Sequence, residues 1–427
     1  MPKKMSKKIS RRNMIKTSAA AVGAIAGSGL ITGFPAIHAS GAPTLRYLGT
    51  AVNMGNEPEK KLFEDTGIKI KYISKTTDDV VKTILTQPNS FDIVDSEYFS
   101  MPKLVPSGSL LGMDTKKIKE WGNVVTAFTE GKVAGKTIGD QGTAPKKVLY
   151  LKGAKSKEFS KDPTQYVTLI PTVYNADTLG IRPDLIKRPI STWAELLNPE
   201  FKGKASILNI PSIGIMDAAM VVESMGEYKY PDKGNMTKDE IDLTMKIFTE
   251  AKKAGQFRAF WSDFNESVNL MASGEVVIQS MWSPAITAVR SQGIPCVYQP
   301  LKEGYRAWAA GFALPSTAKG RQADIAYEYI NWFLSGWMGA YLNRQGYYSA
   351  VLTTAEKNMK TYEWDYWMKG KPASQDILSP TGKKLASKGE IRDGGSYEDR
   401  MGSVACWNAT MDENKYMVRK WNEMIAS

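Results

Sequence analysis

The chain has 427 residues, of which 42% are hydrophobic and 23% are charged, and its formal net charge is +12. Its only histidine is His38. If His38 is lost with the amino-terminal segment described next, a Ser/His/Asp triad, a Cys/His pair and any histidine-containing metal site are excluded. A chain of this length exceeds the roughly 250–300 residues at which single hydrophobic cores stop growing, so two lobes are expected.

Residues 1–39 have the order of an export signal. A basic start without acidic residues is followed by a soft apolar stretch from Ala19 to Ile31. This stretch is shorter than the roughly 20 apolar residues of a membrane span. The segment SRRNMIK (10–16) resembles the twin-arginine export motif. We therefore predict cleavage after Ala39 and a soluble protein in the periplasm. The basic residues of the signal are Lys3, Lys4, Lys7, Lys8, Arg11, Arg12 and Lys16.

Most of the positive charge belongs to this signal. Removing its seven basic residues lowers the excess of basic over acidic residues from twelve to five. An excess of five is a mild surface charge and not the footprint of a nucleic-acid-binding protein. We therefore predict no nucleic-acid partner.

The two cysteines, Cys296 and Cys406, are both flanked by apolar residues. In an oxidising compartment they could pair, but only if their Cα atoms lie within about 7 Å of each other. The apolar flanks favour two buried free thiols.

The first part of the chain alternates short strands with helices. Strands are predicted at 45–49, 68–74 and 91–94, and helices at 57–66, closed by Gly67, and at 77–86. This alternation predicts a parallel α/β layer whose ligand-facing loops follow the carboxyl ends of the strands. One such loop begins at Thr50. The other begins at Asp95 and contains Ser96 and Tyr98.

The alternation resumes in the second part of the chain and predicts a second α/β lobe. Ser191 is predicted to cap a helix over 192–197. Strands are predicted at 166–174, 205–208 and 276–281, and helices at 215–225, 241–254, 323–334 and 411–425.

Several segments carry a family resemblance. STWAELLNPEFKGK (191–204), ASGEV (272–276) and the segments around Trp282 and Trp308 resemble the polyamine-type extracellular solute-binding proteins of ABC transporters. FDIVDSEY (91–98) also fits the family's strand followed by an aromatic ligand loop. The resemblance covers essentially the whole chain after the signal.

The resemblance implies a two-lobed periplasmic-binding-protein fold (type II), in which each lobe is an α/β sheet sandwich and the solute binds in the cleft between them. Crossover strands joining the lobes are expected near 167–173 and 305–313. Lobe one would comprise 40–170 and 309–427, and lobe two would comprise 171–308.

The expected site is built on aromatic residues. Trp282 and Trp308 align with two tryptophans that stack on the ligand in this family, and the face of such a ring attracts a cation. Tyr98, Tyr174 and Trp261 are further candidates, because aromatic residues at strand ends can line clefts.

Two positions depart from the family pattern. Ala310 stands where a polyamine binder carries an aspartate, and NIPSIG (209–214) replaces the family's acidic pair. Other carboxylates could pair the ammonium of a solute, and an arginine could clamp a ligand carboxylate. The expected solute is therefore small and amine-bearing, either polyamine-like or zwitterionic. The charged candidates are Asp95, Glu97, Asp263 and Arg306.

Three functions remain open at this point. The leading one is a receptor, acting as a monomer, that presents its solute to the permease subunits of an ABC importer in the inner membrane. It would use no catalytic residue, metal or cofactor, and the sequence contains no Walker loop or dinucleotide fingerprint. The second is an iron or anion receptor of the same fold, suggested by Tyr347 and Tyr348. The third is an exported carboxylate enzyme, suggested by Asp263 and Glu266, although their spacing is more simply that of a capping box.

Overall fold

A mixed β-sheet runs through the computed structural model, which describes residues 42–427. The predicted signal at 1–39 lies outside the described residues. The main path of the sheet has the strand order β6-β5-β7-β4-β8-β3-β1-β2, and β9 pairs with β8 beside this path. The strands are β1 (Thr44–Gly49), β2 (Lys69–Ser74), β3 (Ile93–Glu97), β4 (Ile170–Ile181), β5 (Ala205–Leu208), β6 (Phe257–Trp261), β7 (Ile278–Met281), β8 (Tyr305–Ala313) and β9 (Val404–Trp407).

Helices cover this sheet. Within residues 42–427, no helix combines the length and the apolar character needed to cross a membrane. The helices of eight or more residues are α1 (Asn56–Thr66), α2 (Thr77–Thr86), α3 (Pro211–Ser224), α4 (Lys238–Lys253), α5 (Phe264–Ser273), α6 (Ser283–Arg290), α7 (Gly320–Leu334) and α8 (Asn414–Ala426). Shorter helices include Met101–Ser107, Trp337–Asn343, Leu352–Lys357, Thr361–Trp367 and Tyr397–Gly402.

The long strands β4 and β8 form the centre of the sheet. They pair with each other in antiparallel fashion, while β7 joins the free side of β4 and β3 joins the free side of β8. All twelve residues of β4 are buried, as expected for a strand covered on both faces. The predicted crossing at 305–313 coincides with β8. The other crossing strand begins only at Ile170, because the preceding pair Tyr166–Val167 bonds instead to two short strands nearby.

Two local predictions were wrong. Strand β3 does not end at Val94 but continues to Glu97, because its last residues pair with β8. Ser191 does not cap an α-helix. The segment Trp193–Leu197 is a short 3-10 helix. The N–H of Trp193, its first residue, donates to the carboxylate of Glu303 at 3.1 Å, so Glu303 takes the place of the predicted cap.

The buried side chains form two large hydrophobic cores within one compact unit. The lobe boundaries at 170 and 308 stay a prediction. Helix α8 lies within the segment 309–427 that was expected in lobe one, yet it packs in the second core. Met417, Trp421 and Met424 form one buried face of α8, which packs on α3 and α4 in the second core. The reason is the spacing of these apolar residues, which gives α8 a single face that must be covered.

The cysteines are both free and buried, as predicted, and they lie in different cores. Burial raises the pKa of each thiol, Cys296 and Cys406, to about 12. Only a thiolate reacts as a nucleophile, so we expect the native protein to react with an aromatic disulfide reagent at least about a hundredfold more slowly than the unfolded chain. Absorbance of the released thiol, with and without guanidinium, measures both rates. Equal rates would contradict this placement of the thiols.

Candidate functional site

One face of the two central strands carries the candidate site. Alternation along β8 places Arg306, Trp308 and Ala310 on the same face. Across the pairing with β4, Asp177 lies opposite Arg306 and Asn175 lies opposite Trp308. Four of these five residues are buried, whereas Trp308 is partly exposed. Among them, therefore, only Trp308 meets solvent.

Arg306 is held by three side chains. Its Nε donates to Asp217 Oδ1 at 2.6 Å, one terminal nitrogen donates to Asn408 Oδ1 at 2.7 Å, and the other lies 3.5 Å from Asp177 Oδ2. Burial opposes the charge, but attraction by Asp217 and Asp177 outweighs it and raises the pKa of Arg306. With 1% of its surface exposed, Arg306 is not free to clamp a ligand carboxylate in this conformation, which corrects that prediction.

Glu97 lies at the end of β3, directly opposite Ala310 of β8. Directly opposed residues of antiparallel strands have their Cβ atoms about 4.5–5.5 Å apart. A carboxylate thus stands within one side-chain length of Ala310, the position expected from the sequence to depart from the family pattern. Thr77 Oγ1 donates to Glu97 Oε1 at 2.9 Å and Asn408 Nδ2 lies 3.4 Å from Oε2, and these two contacts orient the carboxylate.

Acidic side chains outnumber the arginine that they surround. Asp177 and Asp217 contact Arg306 directly, and Glu97 is connected to it through Asn408. Burial raises the pKa of Glu97 to about 7 and that of Asp177 to about 6, and it also raises the pKa of Asp217. Within the described chain, Oδ2 of both aspartates accepts no hydrogen bond. When all three carboxyl groups are ionised, they exceed the single guanidinium by two negative charges, and this excess attracts a cation.

The two tryptophans expected to stack on the solute each pack against another ring. Trp308 meets Tyr347 edge-on, with ring centroids 5.8 Å apart, and Trp282 meets Trp261 edge-on at 4.8 Å. Tyr347 and Trp261 are buried, whereas Trp282 and Trp308 both remain partly exposed. Each exposed indole is therefore oriented by a buried ring and keeps surface available for a ligand.

The surroundings of these two tryptophans meet at Gly346. Its carbonyl accepts a hydrogen bond from Nδ2 of Asn175, the residue opposite Trp308, at 3.2 Å. Oγ of Ser283, the residue after Trp282, lies 3.5 Å from the same oxygen. Gly346 has φ +93°, and a Cβ there would come within 3.0 Å of the Ser283 hydroxyl. The structure therefore brings the Trp282 and Trp308 segments to one point, where glycine is required.

Other predicted site residues lie in the core. Tyr98, Tyr174 and Trp261 are at most 1% exposed. The Tyr98 hydroxyl donates to the carbonyl of Leu169 at 3.0 Å, and the Tyr174 hydroxyl donates to that of Tyr397 at 2.8 Å. In this conformation they support the site without lining it, which corrects the prediction that they contact the solute.

Strand β1 and the loop after it contact strand β3 at Asp95. This buried carboxylate accepts hydrogen bonds from Tyr47 at 3.1 Å and Asn53 at 2.7 Å, and burial raises its pKa to about 7. Thr50 lies partly exposed at the start of this loop. Ser96 is buried and, by alternation, points to the opposite face of β3 from Asp95 and Glu97. Asp95 therefore belongs to the same face as Glu97, whereas Ser96 does not.

Asp263 is separate from these residues. It is exposed and accepts a hydrogen bond from the N–H of Glu266, at 3.0 Å, as the cap of α5. The Glu266 carboxylate in turn accepts the N–H of Ser262 at 2.8 Å. Asp263 caps α5 as predicted, but the pair does not form a full capping box, because Glu266 bonds the N–H of Ser262 and not that of Asp263.

The tyrosine pair does not form an iron site in this arrangement. Tyr347 packs on Trp308, and burial raises its pKa, which disfavours the tyrosinate that ferric iron binds. Tyr348 pairs with Tyr174 across the strands and lies 4.9 Å below the guanidinium carbon of Arg392, a cation. Between residues 42 and 427, no group of three or more His, Cys, Asp or Glu side chains is arranged to hold a metal.

Three site residues were missed in the sequence: Asp177, Asp217 and Asn408. Asp177 and Asp217 stand alone as acids within apolar runs, one in β4 and the other in α3. A single acid in a buried apolar element requires a partner of opposite charge, and this signal was available. Asn408 follows the short strand β9 and carries no comparable signal.

Comparisons with known proteins agree with this fold. The family model of bacterial extracellular solute-binding proteins matches residues 60–366. A spermidine/putrescine-binding periplasmic protein of Salmonella typhimurium is 24% identical over 313 residues, which are 73% of this chain and 78% of the relative.

Two solved structures have a similar architecture. A spermidine/putrescine ABC transporter substrate-binding protein from Streptococcus pneumoniae aligns with a TM-score of 0.60 at 14% identity, over 90% of this chain and 98% of the other. A periplasmic binding protein from Agrobacterium tumefaciens in complex with agropinic acid aligns with a TM-score of 0.57 at 15% identity, over 90% of this chain and 99% of the other. The predicted periplasmic-binding-protein fold is confirmed.

Proposed function

The chain belongs to the family of bacterial extracellular solute-binding proteins, and we propose that it is the receptor of an ABC importer for a small solute that carries an ammonium group. The observation that carries this proposal is the excess of acid beside Trp308. Glu97, Asp177 and Asp217 face a single arginine, Arg306, on the face of the central strands that reaches solvent at Trp308. The Salmonella relative binds spermidine and putrescine, which are amines.

We place the ammonium group of the solute between Trp308 and Glu97. An ammonium carries three donors and no acceptor, so it needs carboxylate oxygens and tolerates an aromatic face. Glu97 supplies the carboxylate from the strand beside β8, where it lies opposite the small residue Ala310. Trp282 offers a second partly exposed ring for the rest of the solute.

The arrangement favours a solute with one ammonium group over a diamine. The segment 209–214 contains no acid, and the side-chain oxygen of Asn209 already accepts a hydrogen bond from Trp421 at 2.8 Å. A second ammonium would therefore lack a carboxylate at that end, and a buried unpaired charge costs several kcal/mol. A ligand carboxylate finds no free cation on this face either, because Arg306 is occupied.

We place this receptor on the periplasmic side, as a monomer without a nucleic-acid partner. The predicted export segment at 1–39 and the periplasmic location of the Salmonella relative support this place. Its role there is binding without catalysis, followed by delivery of the solute to the permease subunits in the membrane.

Titration calorimetry with three four-carbon solutes tests the proposal: butylamine with one ammonium, putrescine with two, and 4-aminobutyrate with an ammonium and a carboxylate. We expect butylamine to bind at least as tightly as the other two. Trp308→Ala should weaken binding by about 0.5–2 kcal/mol, which is roughly 2- to 30-fold, because a cation–π contact is lost. Glu97→Gln should also weaken it.

Asp263→Asn is the matched control, because Asp263 is an acid outside the site and asparagine also caps helices. Its affinity should equal that of the unmodified protein. If none of the three solutes bound, or if the Trp308 and Glu97 variants both kept full affinity, the proposed amine receptor would be wrong.

A further inference from the structure

A second charged cluster lies on the other face of the central strands. It consists of Arg392, Arg400, Tyr348 and Trp367, and is called the basic cluster below. Tyr348 pairs with Tyr174 of β4. The next residue, Asn175, lies opposite Trp308, so the side chains of Tyr174 and Asn175 point to opposite faces of the sheet. The guanidinium carbons of Arg392 and Arg400 lie 4.9 Å and 5.9 Å from the centroid of the Tyr348 ring. Two positive groups therefore share one aromatic ring, behind the sheet that carries the acidic face.

These two arginines differ from the other buried cations of the described chain. Arg306 has Asp217 at 2.6 Å, and the equally buried Lys233 has a carboxylate at 2.8 Å. Arg392 and Arg400 are 4% and 2% exposed, yet neither has a carboxylate within 4.0 Å among residues 42–427. Burying a charge without a partner of opposite sign costs several kcal/mol. Arg392 donates to the carbonyl oxygens of Trp367 and Gly346, which partly compensates its charge, whereas two nitrogens of Arg400 have no partner in the described chain. The unpaired charge of the cluster is therefore centred on Arg400.

The nearest acid does not meet this need. Oδ2 of Asp393 accepts hydrogen bonds from Arg290 and from the N–H of Tyr298, both at 2.8 Å. Arg400 reaches only the backbone oxygen of Asp393, at 3.2 Å. Burial, together with repulsion by Arg400, lowers the pKa of Arg392 to about 10. Three arginines thus share one carboxylate, and two positive charges lack a counter-ion.

The open donors indicate which anion fits. Nε and one terminal nitrogen of Arg400, the hydroxyl of Tyr348 and Nε1 of Trp367 are buried and have no hydrogen-bond partner in the described chain. The other terminal nitrogen of Arg400 donates to the backbone oxygen of Asp393. The two unpaired nitrogens, Nε and the terminal nitrogen next to it, therefore lie along one edge of the guanidinium. Two adjacent guanidinium donors match two oxygens of a carboxylate or phosphate group. The donor set therefore suits an oxyanion better than a spherical halide.

We propose that Arg392 and Arg400 form a second binding site, separate from the amine site, that takes a carboxylate or phosphate oxyanion at the open donors of Arg400. The oxyanion neutralises the charge of Arg400 and pairs its two open nitrogens. The central strands lie between Arg400 and Trp308, and the two faces come into contact at Gly346, whose carbonyl oxygen accepts from Arg392 at 3.3 Å and from Asn175 at 3.2 Å. The oxyanion is therefore bound together with the amine and not in its place.

Thermal unfolding in different salts tests this site. At equal ionic strength, sodium acetate or sodium phosphate should raise Tm by a few degrees over sodium chloride, because an anion that binds only the folded state stabilises it. Arg400→Met should lose this difference between salts. The matched control is Arg188→Met, which removes an arginine that bridges two surface acids, Glu195 and Glu200, and should keep it. Equal Tm values in all three salts, or an unchanged difference in Arg400→Met, would overturn the proposal.

Equilibrium dialysis of the unmodified protein gives a measurement that does not depend on folding of the variants. We expect one labelled phosphate or acetate to be retained per chain, with an affinity that saturating butylamine leaves unchanged. The same independence from 4-aminobutyrate would show that the oxyanion is not the carboxylate of the transported solute. Absence of retained anion, or displacement by either solute, would contradict a separate oxyanion site.

Discussion

Replacing Arg306 with methionine should lower the free energy of unfolding by about 3–5 kcal/mol at pH 8, because two buried carboxylates lose their partner. Asp217 lies 2.6 Å from the guanidinium and Asp177 lies 3.5 Å from it, and all three side chains are at most 1% exposed. Urea unfolding followed by fluorescence measures the change. Asn408, the third partner of Arg306, is a neutral amide and cannot replace the positive charge that the two aspartates lose.

The loss should be smaller at pH 5 than at pH 8. Burial already raises the pKa of Asp177 to about 6 and that of Asp217 above its usual range. Carboxyl groups with a raised pKa stabilise the folded state in their protonated form, and this stability is lost as pH rises through the folded pKa. Arg188→Met is the control, because Arg188 also bridges two acids but is 35% exposed; it should cost about 1 kcal/mol or less. Equal losses for both variants would contradict the buried network.

The affinity for an amine should rise steeply with pH between 5 and 8. Burial raises the pKa of Glu97 to about 7, so this carboxyl must lose a proton before it can pair with an ammonium. Below the pKa, one such group weakens binding about tenfold for each pH unit, which amounts to roughly 100-fold at pH 5. Calorimetry in two buffers of different ionisation enthalpy at pH 6 should show that close to one proton is released for each butylamine bound.

Glu97→Gln provides the control for this dependence. The amide has the same shape but no proton to lose, so the variant should bind more weakly at pH 8 and should show a shallower change toward pH 5. Asp177, whose pKa is about 6, accounts for the dependence that remains. An affinity of the unmodified protein that is constant between pH 5 and pH 8 would contradict a role of Glu97 in binding the ammonium.

Much of the fold could be predicted because apolar periodicity is strong in this chain. Helix α2 and strand β5 have the predicted bounds, and Gly67 closes α1 in the left-handed conformation, with φ +73°. The end of β3 could not be read from periodicity, because Asp95, Ser96 and Glu97 are polar. They belong to the strand because β8 supplies partners for their backbone, and pairing between distant segments leaves no local pattern.

The site was predictable in kind but not in its arrangement. The aromatic residues Trp282 and Trp308 and the acid Glu97 could be identified as candidates, and all three keep partly exposed side chains. The role of Arg306 could not be identified, because its partners Asp217 and Asn408 are distant in sequence. Burial of Tyr174 depends likewise on the strand pair around it and on Tyr397. Contacts between distant segments decide whether a residue lines a site or supports it.

The opposition of Ala310 and Glu97 across two strands affects how specificity is inferred among relatives. An alignment compares position 310 only with its own column, where this chain has alanine. In space, Glu97 lies opposite on the neighbouring strand, with the two Cβ atoms about 5 Å apart. If relatives were sorted by that one column, this chain and a protein with an acid there would be assigned different solutes, although each presents a carboxylate to the same region. Assigning a solute to members of this family therefore requires that the two columns be considered as one pair.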